Sequence, residues 1–149
     1  MTAPEPKPIH VALAAIMADV RSLGKHDENT HFRFKFRGID ATLNAIGPAM
    51  RTHGVVSLPQ VEHAEYRDVQ TSKGKPAREV TVRVRYRFIG PQGDYLDVVT
   101  VGESVDEGDK GTAKAMSVAM RIALLQTFAL PTDDVDPDAS DVQLSLIHI

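Results

Sequence analysis

The chain has 149 residues, a formal net charge of −3 and no cysteine. This length predicts a single domain with a sizeable core. The lack of cysteine excludes disulfide bonds and cysteine-ligated metal sites. Residues 1–6 lack a basic segment followed by an apolar one, and no apolar run approaches the roughly 18 residues that span a bilayer. We therefore expect a cytoplasmic protein with no membrane partner.

The acidic residues are concentrated towards the C-terminus. Five of the twenty lie within residues 133–141 as aspartates, and no Lys or Arg accompanies them. The remaining fifteen acids face seventeen Lys and Arg, so residues 1–132 carry a formal charge of +2. The net charge of −3 therefore does not argue against a nucleic-acid partner, because residues 1–132 are mildly basic and the negative charge lies in the tail.

Two helices are predicted in the first third of the chain. Residues 1–8 are rich in proline and are expected to be disordered. Apolar residues recur at steps of three and four over residues 9–23, which predicts an amphipathic helix. A second helix is expected from about residue 40 to residue 53. The Gly47-Pro48 pair should kink or split it.

Two short stretches, residues 32–37 and 82–88, alternate basic residues with apolar ones. In a strand, alternate side chains point to opposite faces, so each stretch would place three cations on one face. The cations are Arg33, Lys35 and Arg37 in the first stretch and Arg83, Arg85 and Arg87 in the second. Such rows are suited to a phosphate backbone, with nearby aromatic rings available for base stacking. The alternative is a solvated strand face opposite a packed one.

Three strands are predicted after the second helix, over residues 55–69, 78–89 and 95–105. Turn-forming sequences at 71–76 and 90–94 separate them, which predicts an antiparallel meander. Pro59 in the first strand indicates an edge strand or a bulge.

A long helix is predicted over about residues 110–130, stopped by Pro131. Its polar residues Lys110, Lys114, Ser117 and Arg121 follow at steps of four, three and four and share one stripe. This stripe is either a binding surface or the solvent face of the helix. Backbone amides of residues 108–112 are suited to a phosphate, although Asp109 or Thr112 as an ordinary N-cap is the favoured reading.

No catalytic, metal-binding or cofactor-binding residue is predicted. The chain has no P-loop sequence, which argues against an ATP-driven enzyme. The acids at 103–109 leave one alternative open, a metal-dependent nuclease or nucleotide-processing enzyme. These acids are Glu103, Asp106, Glu107 and Asp109. A charged turn before the helix is the simpler account.

The strings Lys35–Asp40, Leu43-Asn44 and His53–Val56, together with Gly108–Ser117, Arg121, Ala123–Gln126 and Leu130–Thr132, resemble the ERF family. These are the essential recombination function proteins of bacteriophages and prophages. Both groups of motifs occur in order, and the resemblance covers residues 9–136. It implies a single-strand annealing domain over residues 9–131, followed by a disordered acidic tail at 132–149. Residues 143–149 fit no pattern of the chain and are expected to be non-native.

The resemblance implies an α+β fold with two N-terminal helices, a three-stranded antiparallel β-meander and a long C-terminal helix, the β-β-β-α core of annealing proteins. It also implies annealing of single-stranded DNA in phage recombination without ATP or metal, by rings or helical filaments of the chain in the host bacterial cytoplasm. A phage exonuclease or host single-strand-binding protein is a further expected partner. The family motifs indicate Lys35, Phe36, Arg37, Lys110, Lys114 and Arg121 as DNA contacts. The alternating stretches add Arg33, Arg83, Arg85 and Arg87.

Overall fold

The computed structural model describes residues 5–26 and 38–130, which form three helices and three strands. In chain order these are α1 (Ile9–His26), α2 (Ile39–Thr52), β1 (Val56–Gln70), β2 (Pro76–Ile89), β3 (Tyr95–Asp106) and α3 (Gly111–Thr127). The predicted fold class is confirmed. Within the described ranges, no helix is both long enough and apolar enough to cross a membrane.

The three strands form one antiparallel sheet in the order β1-β2-β3. Among the described strands β1 is therefore at an edge, as Pro59 predicts, and its register with β2 shifts between Val61 and His63. Such a shift is typical of a β-bulge, which bends the strand and strengthens its twist. Since β1 and β3 both run antiparallel to β2, they run in the same direction as each other.

The core lies between one face of the sheet and the three helices. Alternation along β2 turns Val82, Val84, Tyr86 and Phe88 into this core, where each is buried. Phe88 meets Phe128 edge to face, with ring centroids 6.1 Å apart. The opposite face of the sheet is uncovered among the described residues, and we call it the open face.

Helix α3 approaches the sheet unusually closely above β3. A Cβ atom built on Gly102 would lie 2.0 Å from the carbonyl oxygen of Ala115, so any side chain there would push the helix away. Hydroxyl groups beside the contact donate to helix carbonyls. Thr100 Oγ1 lies 2.7 Å from Ala119 O, and Ser104 Oγ lies 2.6 Å from Gly111 O. These bonds fix the position of α3 along β3.

Two helix details differ from the prediction. α2 runs through Gly47-Pro48 as one helix, so a split there is wrong. Buried residues on both sides of the proline, Ile46 and Ala49, pack the helix and hold it together. α3 ends at Thr127 rather than near residue 130 because Ala129 adopts a left-handed φ of 51° and Leu130 N–H donates to Leu125 O. This arrangement is a Schellman motif.

The turn between β2 and β3 anchors the start of α1. Asp94 Oδ2 accepts a hydrogen bond of 2.9 Å from the backbone N–H of Ile9, the first residue of the helix. Gln92 Nε2 donates to Pro6 O at 2.6 Å. A carboxylate is favourable at this position because helix N-termini carry unpaired N–H groups and a partial positive charge.

Candidate nucleic-acid interface

The arginine row of β2 lies on the open face of the sheet. Arg83, Arg85 and Arg87 alternate with the buried residues of the strand, so all three share one face, opposite Val84 and its neighbours, as the sequence predicts. Their positions are set by a regular strand that is paired on both sides.

These arginines are paired with carboxylates from both neighbouring strands. Arg85 Nη2 lies 2.6 Å from Glu62 Oε2 of β1, and its Nη1 lies 3.2 Å from Asp97 Oδ2 of β3. Arg87 binds both oxygens of Asp97, at 2.9 and 3.1 Å. Arg83 Nε is 3.8 Å from Glu62 Oε1. The β-bulge makes this possible by placing Glu62 beside two arginines.

The network shifts the protonation equilibria of its members. The hydrogen bond from Arg87 lowers the pKa of the Asp97 carboxyl below its ordinary value. The hydrogen bond to Glu62 raises the pKa of Arg85. Asp97 is therefore ionised at neutral pH, and the positive charge of the row is largely offset within the sheet.

Aromatic rings accompany two arginines at the sheet surface, and sequence reasoning did not identify either pair. The Arg87 guanidinium lies 3.8 Å from the ring centroid of Tyr95, and that of Arg78 lies 5.3 Å from the centroid of Tyr66. Both geometries allow a cation–π interaction. Tyr66 also shares a 3.1 Å hydrogen bond with Thr112 Oγ1 in the first turn of α3.

The turn before α3 is organised by Asp106 rather than by Asp109 or Thr112. Asp106 Oδ2 accepts the backbone N–H groups of Gly108 and Lys110, each at 3.0 Å, and its Oδ1 binds Lys114 Nζ. The bond from Lys114 lowers the pKa of Asp106. Two amides of the predicted phosphate cradle are thus already bound to a carboxylate, and the N-cap residue, Lys110, makes no side-chain capping bond.

The cationic stripe of α3 lies on the side of the helix nearer β3. Lys114 reaches Asp106 at the end of β3, whereas Thr112 contacts β1 through Tyr66 on the other side. Val118 is one helical turn after Lys114, and Arg121 is seven residues after it, so both share the flank of Lys114. We call Lys114, Val118 and Arg121 the β3-side flank of α3.

The acids at 103–109 do not converge. Glu103 pairs with Thr81 and points to the open face, whereas Ser104 and Asp106 of the same strand contact α3 on the other face. Across residues 5–26 and 38–130, no group of three or more His, Asp or Glu side chains is placed to hold a metal ion. The sheet thus separates the carboxylates on which the nuclease alternative depends.

The first alternating stretch lies outside the described residues. Arg33, Lys35, Phe36 and Arg37 belong to it, so their part in a DNA-binding site stays a prediction. Of the other six predicted contacts, three are on the open face and three belong to the start and flank of α3, on the opposite side of the sheet. These are Arg83, Arg85 and Arg87, and Lys110, Lys114 and Arg121. The described part of the chain therefore does not unite the six into one surface.

A β-meander backed by a long C-terminal helix defines a β-β-β-α protein, the fold that the sequence resemblance implies. The sequence profile of the ERF superfamily matches residues 9–145, which is most of the chain. The protein therefore belongs to the ERF superfamily, a family associated with DNA recombination and strand annealing. A comparison with curated proteins found no match.

Proposed function

We propose that this chain binds single-stranded DNA and anneals complementary strands, without ATP hydrolysis or metal catalysis, during phage recombination. The observation that carries the proposal is the ERF superfamily match over residues 9–145. Cations neutralise phosphates and hold the backbone extended, while the bases remain available to pair with a second strand.

The flank of α3 is the better candidate for phosphate contact among the described residues. Its Lys114 side chain is 54% exposed and is bound to one carboxylate, that of Asp106, which is 11% exposed and also accepts two backbone N–H groups. The exposed Lys114 side chain can therefore turn to a phosphate while Asp106 keeps its two backbone hydrogen bonds. On the open face, Arg85 and Arg87 would have to leave a connected network with two carboxylates.

An annealing assay with two labelled complementary oligonucleotides tests the proposal directly. We expect duplex formation to be accelerated in EDTA and without nucleotide. Loss of full-length strand on addition of Mg²⁺ would instead support the nuclease alternative. No acceleration in any buffer, with the protein folded, would contradict the proposal.

The salt dependence of binding tests the electrostatic part. If about six phosphates are neutralised, log affinity should fall with log salt at a slope of roughly −4, at about −0.7 per phosphate. The slope can be measured by fluorescence anisotropy between low and moderate salt. A flat response would exclude phosphate neutralisation as the source of affinity.

A further inference from the structure

One end of the open face presents apolar side chains to solvent. There Tyr95 of β3 pairs with Ile89 of β2, which in turn pairs with Val56 of β1. In the next row of the sheet Leu58 pairs with Arg87. Tyr95 is 50% exposed, and Val56 and Leu58 are exposed to a similar extent. Three large apolar side chains therefore surround Arg87 at this end of the open face.

A carboxylate holds Arg87 against the ring of Tyr95. The Nε and Nη2 groups of Arg87 donate to the two oxygens of Asp97, at 2.9 and 3.1 Å. This two-pronged bond fixes the plane of the guanidinium. The guanidinium carbon lies 3.8 Å from the centroid of the Tyr95 ring, so it occupies one face of the ring. Because half of Tyr95 is still exposed, the other face of the ring is left to solvent.

The charges around this stack largely offset each other. Arg85 and Arg87 share the carboxylate of Asp97, and Arg85 also binds Glu62. Arg83 lies beyond them, beside the same Glu62. A phosphate gains little from arginines that are already paired in this way. A ring beside apolar side chains is suited instead to a nucleobase, because base stacking depends on the π-face rather than on charge.

We propose that the exposed face of the Tyr95 ring, backed by Arg87, stacks on an unpaired nucleobase of single-stranded DNA. The inference rests on the proposed function, since it names a contact to the strand that the chain is proposed to anneal. Stacking uses the flat face of a base and leaves its pairing edge free to meet a second strand. The open face then contacts bases, while the β3-side flank of α3 contacts phosphates.

The two kinds of contact differ in their response to salt, which fluorescence anisotropy can measure. The probes are a labelled thymidine homopolymer and an abasic oligonucleotide of equal length, which has the same phosphates but no bases. We expect Tyr95→Leu to weaken homopolymer binding about fivefold or more at every salt concentration and to leave the salt slope unchanged. Lys114→Ala should instead reduce the slope by about 0.7. Binding of the abasic oligonucleotide should not change in Tyr95→Leu.

Tyr66→Leu is the matched control for loss of a tyrosine ring. Tyr66 is 51% exposed and also lies beside an arginine, but it contacts Thr112 on the helix side of the sheet. Tyr66→Leu should leave the difference in affinity between the two probes nearly unchanged. Tyr95→Phe keeps a ring at the site and should keep the affinity for the homopolymer.

A second measurement reports on the contact itself. The chain has no tryptophan, so Tyr95→Trp introduces a single fluorophore at the proposed site. We expect the homopolymer to quench its fluorescence by stacking and the abasic oligonucleotide to leave it nearly unchanged. Equal quenching by the two probes would overturn the inference.

The binding data can also contradict the inference while the proposed function stands. Equal losses of affinity in Tyr95→Leu and Tyr66→Leu would overturn it, as would homopolymer binding by Tyr95→Leu that matches the native chain. A native chain that anneals DNA but binds both probes equally would remove the stacking site and leave the proposed function standing. Base-dependent binding that requires Tyr95, by a protein that does not anneal DNA, would leave the stacking site standing and remove the proposed function.

Discussion

Strands β1 and β2 are neighbours of similar length, but their helix-side residues differ in burial. Val61 of β1 pairs with Val84 of β2, and both point to the helix side, yet Val84 is fully buried and Val61 is half exposed. The residue type and the face are the same. The two residues differ in burial because α3 packs above β2 and β3 rather than above β1. Burying a valine contributes about 1.5–3 kcal/mol, so Val84 stabilises the domain, whereas Val61 contributes much less to its stability.

The largest effect is expected from Val84→Asp. The substitution places an unpaired charge in the core, and we expect it to cost more than about 4 kcal/mol, which approaches the whole stability of a domain near the low end of the usual range of about 5–15 kcal/mol. Far-ultraviolet circular dichroism and thermal unfolding would show the loss.

Val61→Asp is the matched control for that experiment, one strand away in the same register. We expect it to leave the melting temperature nearly unchanged, because Val61 is already 44% exposed. If Val61→Asp unfolds the protein as Val84→Asp does, the contrast between the two strands is wrong.

The next effect concerns the contact between α3 and β3. Gly102→Val forces the helix away from the sheet, and we expect a cost of about 3 kcal/mol, which would lower the melting temperature by roughly 10 °C in a domain of this size. Val101→Ala, the adjacent residue on the open face, should change stability by less than about 0.5 kcal/mol. Similar melting temperatures for the two variants would argue against the close approach.

The arginine row of β2 can be tested by removing the arginines and, separately, by removing their carboxylate partners. Replacing Arg83, Arg85 and Arg87 by Ala should weaken DNA binding and reduce the salt slope by about 2 if three phosphates are contacted, with little change in melting temperature. The variant Glu62→Gln with Asp97→Asn releases the same arginines and should tighten binding at low salt. If neither variant changes the affinity, DNA does not bind at this face.

The smallest effect is a pH dependence of stability. The folded-state pKa values of Asp97 and Asp106 are lowered by their Arg and Lys partners. Their contribution to stability is therefore complete above the ordinary carboxyl pKa of 3.8. It is lost as the pH falls through the lowered values. Denaturant unfolding between pH 6 and pH 2 should show a steeper loss for the native chain than for Asp97→Asn with Asp106→Asn. If the free energy of unfolding falls equally with pH in the two proteins, these carboxylates do not cause the pH dependence.

The elements and the core face of β2 were predictable because alternation and turn sequences are local signals. The pairing of Arg87 with Asp97 was also within reach, since counting outward from the turn at 90–94 places them opposite each other. The pairing of Glu62 with Arg85 could not be predicted, because it depends on a bulge that shifts the register by one residue. The exposure of β1 could not be predicted either, because the sequence of β1 does not indicate where α3 packs.

The C-terminal end of α3 is another feature that local sequence signals did not predict correctly. Pro131 is a reasonable stop signal, but the helix already ends at Thr127 because Ala129 takes the left-handed conformation that glycine usually occupies. Burial of Phe128 and Leu130 compensates for the strain at this alanine. Tertiary packing therefore decided the boundary rather than the local sequence.

The bond between Ile9 and Asp94 has a consequence for biosynthesis. The first helix cannot be capped until a residue 85 positions later has been made. At about 5–20 residues per second, its start waits for several seconds after it leaves the ribosome. During this interval the apolar stripe of α1 has no sheet to pack on, so the nascent chain is most open to chaperones and proteases before its second hairpin emerges.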